Sequence, residues 1–322
     1  MITLTDIQQA HRRIEKLINR TPIMTSRTIN EMANADVFFK CENFQRAGAF
    51  KARGAAHALS RLSDEEKKRG VVTHSSGNHA QALALASSSM GIRATIVMPE
   101  NAPRVKVEAT KGYGAEVVFC GNSEADRVAT ADSLIESHGY TMIHPYDDDR
   151  IICGAATAAL ELLEDTHGVD IIVAPVGGGG LLSGTSLAAK MSDKDIQVYA
   201  VEPKGADDAY RSFTSGDLVK NESVRTIADG LRTNLSRRTF SIIHEHVDGI
   251  VPVSDREIIQ AMRLIWERMK IVVEPSGAVP LAGILKEGIE LSEKRVGVIL
   301  SGGNIDLGEF FKILEGTILD GS

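Results

Sequence analysis

Residues 170–190, DIIVAPVGGGGLLSGTSLAAK, place four consecutive glycines between an apolar run and a second, more amphipathic segment. The apolar run predicts a buried strand and the later segment a helix, which together make one strand–turn–helix unit of an α/β fold. Backbone N–H groups of Gly177, Gly178, Gly179 and Gly180 can approach an anion closely, and the helix adds its positive N-terminal end. The sequence therefore predicts a phosphate-binding turn rather than a merely flexible one. It is neither a P-loop, since no GK[ST] follows, nor a dinucleotide GxGxxG motif.

The same alternation of short apolar runs and helical segments continues along the chain. Strands are predicted at VFFKCE, GVVTHS, ATIVMP, AEVVFC, DIIVAPV, IQVYAVE and VGVILS, and helices at HAQALALASSSMG, SEADRVATADSLIESHG and GAATAALELLEDTHG. A first helix is expected with Thr5 or Asp6 as its N-cap. We therefore expect an α/β fold with mainly parallel sheets flanked by helices. Its ligands should bind where THSSGNH, APVGGGGLLSG and ILSGGN follow strand ends.

Composition excludes several classes of protein. The 322 residues carry a formal net charge of −7, with 43% hydrophobic and 25% charged residues, as in an ordinary globular protein. No basic run indicates nucleic-acid binding, and no apolar stretch reaches the roughly 20 residues of a membrane span. The three cysteines are widely spaced, which predicts neither a disulfide framework nor a metal cluster. With no secretory signal, these features favour a soluble cytoplasmic protein.

Three further motifs contain groups capable of chemistry. Lys51 lies beside an aromatic and several small residues in FKARGA, where a desolvated lysine could act as a nucleophilic amine, although a lone lysine is usually a surface charge. THSSGNH combines hydroxyls and an amide that suit a carboxylate or a ring hydroxyl, and it equally suits a capped helix start. Two histidines in it, His74 and His79, have no matching metal ligands. Ser301 follows VGVIL, beside two glycines.

Taken together, these motifs resemble the fold-type II pyridoxal-phosphate (PLP) enzymes of the serine/threonine dehydratase and serine racemase family. The resemblance rests on ENFQRAGAFKARGA, THSSGNHAQAL, PENAPRVKVEATKGYGAEV, APVGGGGLLSG, EPKGADDA, TIADGLR, EPSGA and LSGGNIDL, which occur in the family's order. It implies a two-lobed fold similar to the tryptophan synthase β chain, with PLP as cofactor. Residues 1–68 and 148–322 would form the large cofactor-binding lobe, and residues 69–147 a small mobile lobe.

The resemblance also implies a role for individual residues. Lys51 would carry PLP as a Schiff base and act as catalytic base, with Phe50 against the pyridine ring. Asn78 would hydrogen-bond the 3-hydroxyl, Ser301 would meet the ring nitrogen, Gly230 would line the ring, and Gly177, Gly178, Gly179 and Gly180 would hold the phosphate. The substrate carboxylate would bind to Ser75, Ser76, Asn78 and His79. Ser76 also matches the position that the racemases use as acid/base on the face opposite the lysine.

A divalent-cation site is implied in VEPKGADDAY. The side chains of Glu202 and Asp208, with the carbonyl of Ala206 between them, offer the oxygen ligands that Mg²⁺, Ca²⁺ or Mn²⁺ prefer. The alternative is a solvated acidic turn.

The leading function is L-serine/L-threonine ammonia-lyase activity, which gives a 2-oxo acid and ammonia. Alternatives are serine racemase, in the same site, and 3-hydroxyaspartate ammonia-lyase or racemase. Lys51 and Ser301 disfavour a binding protein that has lost its chemistry. The missing dinucleotide motif disfavours a nicotinamide-dependent dehydrogenase. By resemblance we expect a homodimer, a nucleotide effector and no C-terminal regulatory domain.

The chain departs from the family pattern in two segments. Ala47 and Ala49 stand before Phe50 where the family usually has threonine and serine. Residues 154–157 read GAAT instead of GQGT. The second segment lies outside the cofactor motifs, so we expect it to change packing rather than chemistry.

Overall fold

The computed structural model describes residues 2–102, 104–286, 288–308 and 311–312. Its strands are β1 Ile23–Met24, β2 Asp36–Cys41, β3 Val71–His74, β4 Ala94–Pro99, β5 Glu116–Cys120, β6 Thr141–Met142, β7 Ile171–Pro175, β8 Gln197–Pro203, β9 Gly249–Val253 and β10 Arg295–Leu300. They form a six-stranded sheet in the order β1-β2-β10-β7-β8-β9 and a four-stranded sheet in the order β5-β4-β3-β6. Apart from the antiparallel β1–β2 pair, neighbouring strands are parallel. The expected α/β fold with mainly parallel sheets is confirmed, as are all seven predicted strands.

Thirteen α-helices lie in this part of the chain: α1 Leu4–Ile14, α2 Arg27–Ala33, α3 Lys51–Ser60, α4 Asp64–Arg69, α5 Asn78–Ser89, α6 Arg104–Gly112, α7 Glu124–His138, α8 Asp149–Thr166, α9 Gly180–Ser192, α10 Asp208–Ser215, α11 Arg237–His246, α12 Asp255–Leu264 and α13 Pro275–Ile284. The three helices predicted from sequence correspond to α5, α7 and α8. None of the described helices has both the length and the apolar character needed to cross a bilayer.

The predicted N-cap of the first helix was wrong. Thr3, not Thr5 or Asp6, caps α1: its Oγ1 accepts the Asp6 N–H at 3.2 Å, and the Asp6 carboxylate accepts the Thr3 N–H at 2.8 Å. This reciprocal capping box needs a hydroxyl residue and an acid three positions apart. Asp6 is thus the third residue of the helix and belongs to its first turn.

The two sheets are formed by different segments of the chain. Strands β3 to β6, residues 71–142, form the four-stranded sheet, and the flanking segments form the six-stranded sheet. We keep the boundaries at 69 and 147 as a proposal. Helix α3 packs on the smaller sheet: Ala55 and Leu59 belong to its apolar core, together with Leu83 and Ile96.

Close helix contacts involve the segment that departs from the family. Gly154 in α8 is packed so closely on α3 that a Cβ there would lie 2.6 Å from the Arg53 carbonyl oxygen. On α9, a Cβ at Gly184 would lie 2.7 Å from the backbone nitrogen of Ala156. Residues 154–157 therefore lie at helix–helix contacts. GAAT in place of GQGT was expected to change such packing.

Candidate active site

Strand order brings the loops of the site together. β7 ends before the tetraglycine turn and β10 ends before Ser301, and the two strands are paired side by side, with Val298 in register with Val173. Because parallel strands end at one edge of a sheet, both loops open into the same crevice. The Phe50 N–H donates to the carbonyl of Ser301 at 3.0 Å, which joins the start of α3 to this edge.

Lys51 is the first residue of α3 and is partly buried. Its Nζ donates to the carbonyl oxygen of Pro145 at 2.7 Å and lies 5.1 Å from the centroid of the Phe50 ring. Burial lowers the pKa of Lys51 to about 8. A lysine in this state supplies a neutral amine far more readily than a surface lysine, as a carbonyl-bearing cofactor requires.

The tetraglycine turn provides a cradle that side chains would block. A Cβ at Gly178 would lie 2.4 Å from the ring of Tyr146, and a Cβ at Gly177 would lie 2.9 Å from the Cα of Leu231. Gly179 has a φ of +87°, in the left-handed region that favours glycine. All four glycines are buried, yet the N–H groups of Gly177, Gly178 and Gly179 have no acceptor among the described residues. Buried unpaired donors at the start of a helix fit a phosphate.

Ser301, Gly230 and Asn78 surround the same crevice. Ser301 is 3% exposed, and no described residue accepts from or donates to its hydroxyl. Gly230 donates its N–H to Ser276 Oγ at 3.0 Å, and its carbonyl packs against Gly177. Asn78, the first residue of α5, accepts a hydrogen bond from Asn304 at 3.0 Å through Oδ1. These three groups are uncharged, and their contacts with a pyridine ring stay a prediction.

A family model described as "Pyridoxal-phosphate dependent enzyme" matches residues 14–302. The chain belongs to the pyridoxal-phosphate dependent enzymes. The residues around Lys51 fit the cofactor because they offer a buried amine, an anion cradle and an uncharged partner for the ring nitrogen.

Curated relatives and solved structures agree with this family. Serine racemase of Dictyostelium discoideum is 50% identical over 318 residues, which cover 98% of each chain. The L-threo-3-hydroxyaspartate ammonia-lyase of Saccharomyces cerevisiae is 46% identical over 98% of this chain and 97% of its own. The crystal structure of the Dictyostelium racemase matches with a TM-score of 0.92 at 51% identity over 95% of this chain and 99% of that one. That of a T.th. threonine deaminase matches with a TM-score of 0.90 at 43% identity over 95% and 99%. The chain is a fold-type II PLP enzyme.

Sequence reasoning gave Glu274 of this PLP enzyme no role, although it begins the quoted EPSGA motif. Its Oε1 accepts a hydrogen bond from Asn78 Nδ2 at 2.8 Å, and its side chain packs against Gly302. Glu274 is 3% exposed, and burial, followed by the negative charge of Asp229, raises its pKa to about 8. Glu274 and Asn304 together fix the orientation of the Asn78 amide, which only the folded chain reveals.

The predicted carboxylate loop lies between β3 and α5. Ser75 Oγ accepts the Gly77 N–H at 3.3 Å, which shapes the turn. Ser76 is partly buried, and its hydroxyl has no partner in the part of the chain described. His79 is buried, with Nε2 3.2 Å from the carbonyl oxygen of Ile143. Substrate binding by Ser75, Ser76, Asn78 and His79 stays a prediction.

An ion pair joins a helix beside the smaller sheet to the segment that contains Gly230. Lys106 on α6 pairs with Asp229, the neighbour of Gly230. Both side chains are partly exposed, so we expect the pair to contribute little to stability.

The predicted cation ligands form a separate buried cluster. The carboxylate of Glu202, at the end of β8, accepts two backbone N–H groups of α10 at 3.0 and 2.8 Å. Asp208 accepts from Asn221 Nδ2 at 2.7 Å and from the Leu235 N–H at 2.8 Å. Burial, and then the charge of Asp208, raises the pKa of Glu202 well above its usual range; burial raises that of Asp208 to about 6.

Neither carboxylate forms an ion pair with a described residue. Ala206 lies in the turn between them, with its carbonyl as the third expected ligand. No set of three or more His, Cys, Asp or Glu side chains within the described ranges could bind a metal. The chemistry of two uncompensated buried carboxylates still fits a hard cation, with carbonyl and water oxygens completing its ligands.

Proposed function

We propose that this PLP enzyme is an ammonia-lyase for amino acids with a β-hydroxyl group, with L-serine and L-threonine as substrates and 2-oxo acid and ammonia as products. The observation that carries the proposal is the partly buried Lys51 amine, which donates to the Pro145 carbonyl at 2.7 Å, has its pKa lowered to about 8 and lies at the same sheet edge as an anion cradle. The relatives support the substrate class, because serine and 3-hydroxyaspartate both bear a β-hydroxyl.

Different residues of the crevice would bind the cofactor and the substrate and transfer the proton. Gly177 to Gly180 would hold the phosphate of PLP, Asn78 its 3-hydroxyl and Ser301 its ring nitrogen. When bound, PLP supplies an electron sink that acidifies the Cα–H of the amino acid. The Lys51 amine would take that proton, while the loop of Ser75 and Ser76 would hold the carboxylate. Ser301, an uncharged partner, would not keep the ring nitrogen protonated.

A visible spectrum with a variant of the lysine tests the proposal. The purified protein should show a band near roughly 410 nm, a property of the cofactor bound to a lysine. Lys51→Ala should lose both the band and pyruvate formation from L-serine, and Lys16→Ala, at an exposed position just after α1, should keep both. A wild-type protein that stays colourless after PLP is added would overturn the proposal.

Serine racemisation is the second candidate, in the same site. It is favoured by the racemase relatives and by the Ser76 hydroxyl, which has no partner in the described structure and is free to exchange a proton with the substrate. Ser76→Ala should reduce D-serine formation from L-serine by more than it reduces pyruvate formation. An unchanged ratio of the two products, or the absence of D-serine with the wild type, would remove this candidate. L-threo-3-hydroxyaspartate belongs in the same assay, since ammonia-lyases for it are similarly close relatives.

We also propose that Glu202, Asp208 and the Ala206 carbonyl bind Mg²⁺ or a similar divalent cation. Support comes from the burial of two carboxylates without an ion-pair partner among the described residues. On the resemblance we further propose a homodimer and a nucleotide effector. Sedimentation of the purified protein, and assays with and without ATP, test these two proposals.

A further inference from the structure

His144 lies in the segment that joins β6 to α8 and that sequence reasoning left without a role. It directly precedes Pro145, whose carbonyl oxygen accepts the hydrogen bond of Lys51 Nζ at 2.7 Å. The imidazole is therefore positioned within one residue of the contact made by the proposed catalytic amine.

Hydrogen bonds fix the tautomer of His144. Its Nδ1 accepts the backbone N–H groups of Tyr146 at 3.2 Å and Asp147 at 2.8 Å. A ring nitrogen that accepts hydrogen bonds has no proton, so the proton of the neutral ring is on Nε2. Burial, and then the neighbouring His74, lowers the pKa of His144 to about 4. The ring consequently presents Nε2 as a neutral N–H donor at physiological pH.

The ring is also fixed in orientation. It packs edge-to-face between His74, at a centroid distance of 5.7 Å, and Tyr146, at 4.7 Å, with interplanar angles of 86° in both pairs. Tyr146 in turn packs against Gly178 of the tetraglycine turn. No described residue accepts a hydrogen bond from Nε2. This preorganised donor has no partner among the described residues and lies between the carboxylate loop and the phosphate turn, where it is placed to donate to an oxygen atom of a ligand.

We propose that His144 Nε2–H donates a hydrogen bond to the β-hydroxyl oxygen of the substrate and so assists its departure. The inference rests on the proposed function. Lys51 takes the Cα proton and becomes an ammonium, the electron pair of the Cα–H bond forms the Cα=Cβ bond, and the Cβ–O bond breaks with its electron pair on oxygen. That oxygen takes the proton back from Lys51 and leaves as water. His144 keeps its own proton throughout and stabilises the negative charge that accumulates on the leaving oxygen.

Two variants of His144 each remove one function of the ring, the Nε2 donor or the Nδ1 acceptor. In His144→Asn the amide oxygen stands near the place of Nδ1 and can still accept from Tyr146 and Asp147, but no donor replaces Nε2. In His144→Gln the longer side chain places an amide N–H near Nε2 and gives up the acceptor. Their comparison therefore distinguishes loss of the donor from disturbance of the turn.

A substrate with a different leaving group tests the departure of the β-hydroxyl separately from the other steps. With L-serine, His144→Asn should lower kcat/KM by roughly 10- to 100-fold, and His144→Gln should recover much of that loss. With β-chloro-L-alanine, whose chloride leaves without a proton or a hydrogen bond, both variants should stay within about threefold of the wild type. His138→Asn, on the exposed face of α7, should match the wild type with both substrates.

Imidazole ¹⁵N NMR provides a readout that is independent of turnover. The His144 Nε2–H resonance should shift when 3-hydroxypropionate is added, because this acid carries the hydroxyl but has no amine to react, and propionate should leave it unshifted. An equal loss of kcat/KM by His144→Asn on both substrates, or the same shift of the Nε2–H resonance with both acids, would overturn the role of His144 and leave the proposed function standing. A wild-type protein inactive on L-serine and on β-chloro-L-alanine would instead overturn the proposed function.

Discussion

Alanine at position 154 should force the helix that begins at Lys51 away from its neighbour. A Cβ on Gly154 would lie 2.6 Å from the carbonyl oxygen of Arg53 and 2.7 Å from the Cα of Gly54. Both are backbone atoms, which cannot rotate out of the way. Non-bonded carbon contacts are favourable at about 3.5–4.0 Å, so α3 or α8 must move by roughly an ångström.

The expected loss of stability follows from two opposing effects. Overpacking of a close contact costs about 1–3 kcal/mol, and replacing glycine by alanine inside a helix returns up to about 1 kcal/mol. With the full return, the net loss in the free energy of unfolding is about 0–2 kcal/mol, and we expect the upper half of that range because the atoms in the way are backbone. Arg53 makes the shift harder to absorb, because its buried guanidinium binds Glu42 at 2.7 Å and Glu161 at 2.8 Å.

Urea unfolding and cofactor titration measure the two consequences of Gly154→Ala. The variant should unfold at a lower urea concentration and bind PLP more weakly, because the shift displaces Lys51. Gly112→Ala is the matched control: a Cβ there meets no atom within 4 Å, so its stability should be unchanged or slightly higher. If Gly154→Ala proved as stable as the wild type with the same PLP affinity, the close contact would not constrain α3.

Three other substitutions test the buried charges. The pKa of Glu274 is raised from 4.5 to about 8, so the folded protein keeps a proton that the unfolded chain releases, and the free energy of unfolding should fall as pH rises between those values. Glu274→Gln should flatten this pH dependence in unfolding curves. Parallel pH profiles for the variant and the wild type would contradict it. Glu161→Gln should destabilise the protein by about 3–5 kcal/mol because Arg53 loses a buried partner. Glu164→Gln on the exposed face should cost less than about 1 kcal/mol, and equal effects would refute the distinction. Mg²⁺ should raise the melting temperature of the wild type but not of Glu202→Gln, and a full response from the variant would place the cation elsewhere.

The prediction of the fold succeeded where the signal was local. Apolar runs between turns identified the long buried strands, because each run and its boundaries lie within a few residues. The strand β9, GIVPV, was missed: it is short, contains Pro252 and lies at the edge of its sheet, where a missing backbone donor is tolerated. The two-residue strands β1 and β6 are too short to show a pattern.

The sequence by itself determined the glycine turn, the placement of Lys51 and Ser301 at element boundaries, and the order of motifs that indicates a PLP enzyme. Only the tertiary structure decided that Glu274 holds Asn78 and that His144 presents a donor, without a partner among the described residues, beside the contact of Lys51. Asn78 and Glu274 are 196 positions apart, and their contact depends on how the smaller sheet and its helices pack against the larger one. Local patterns specify which elements form, whereas burial and pairing between distant side chains are fixed by packing that no short stretch encodes.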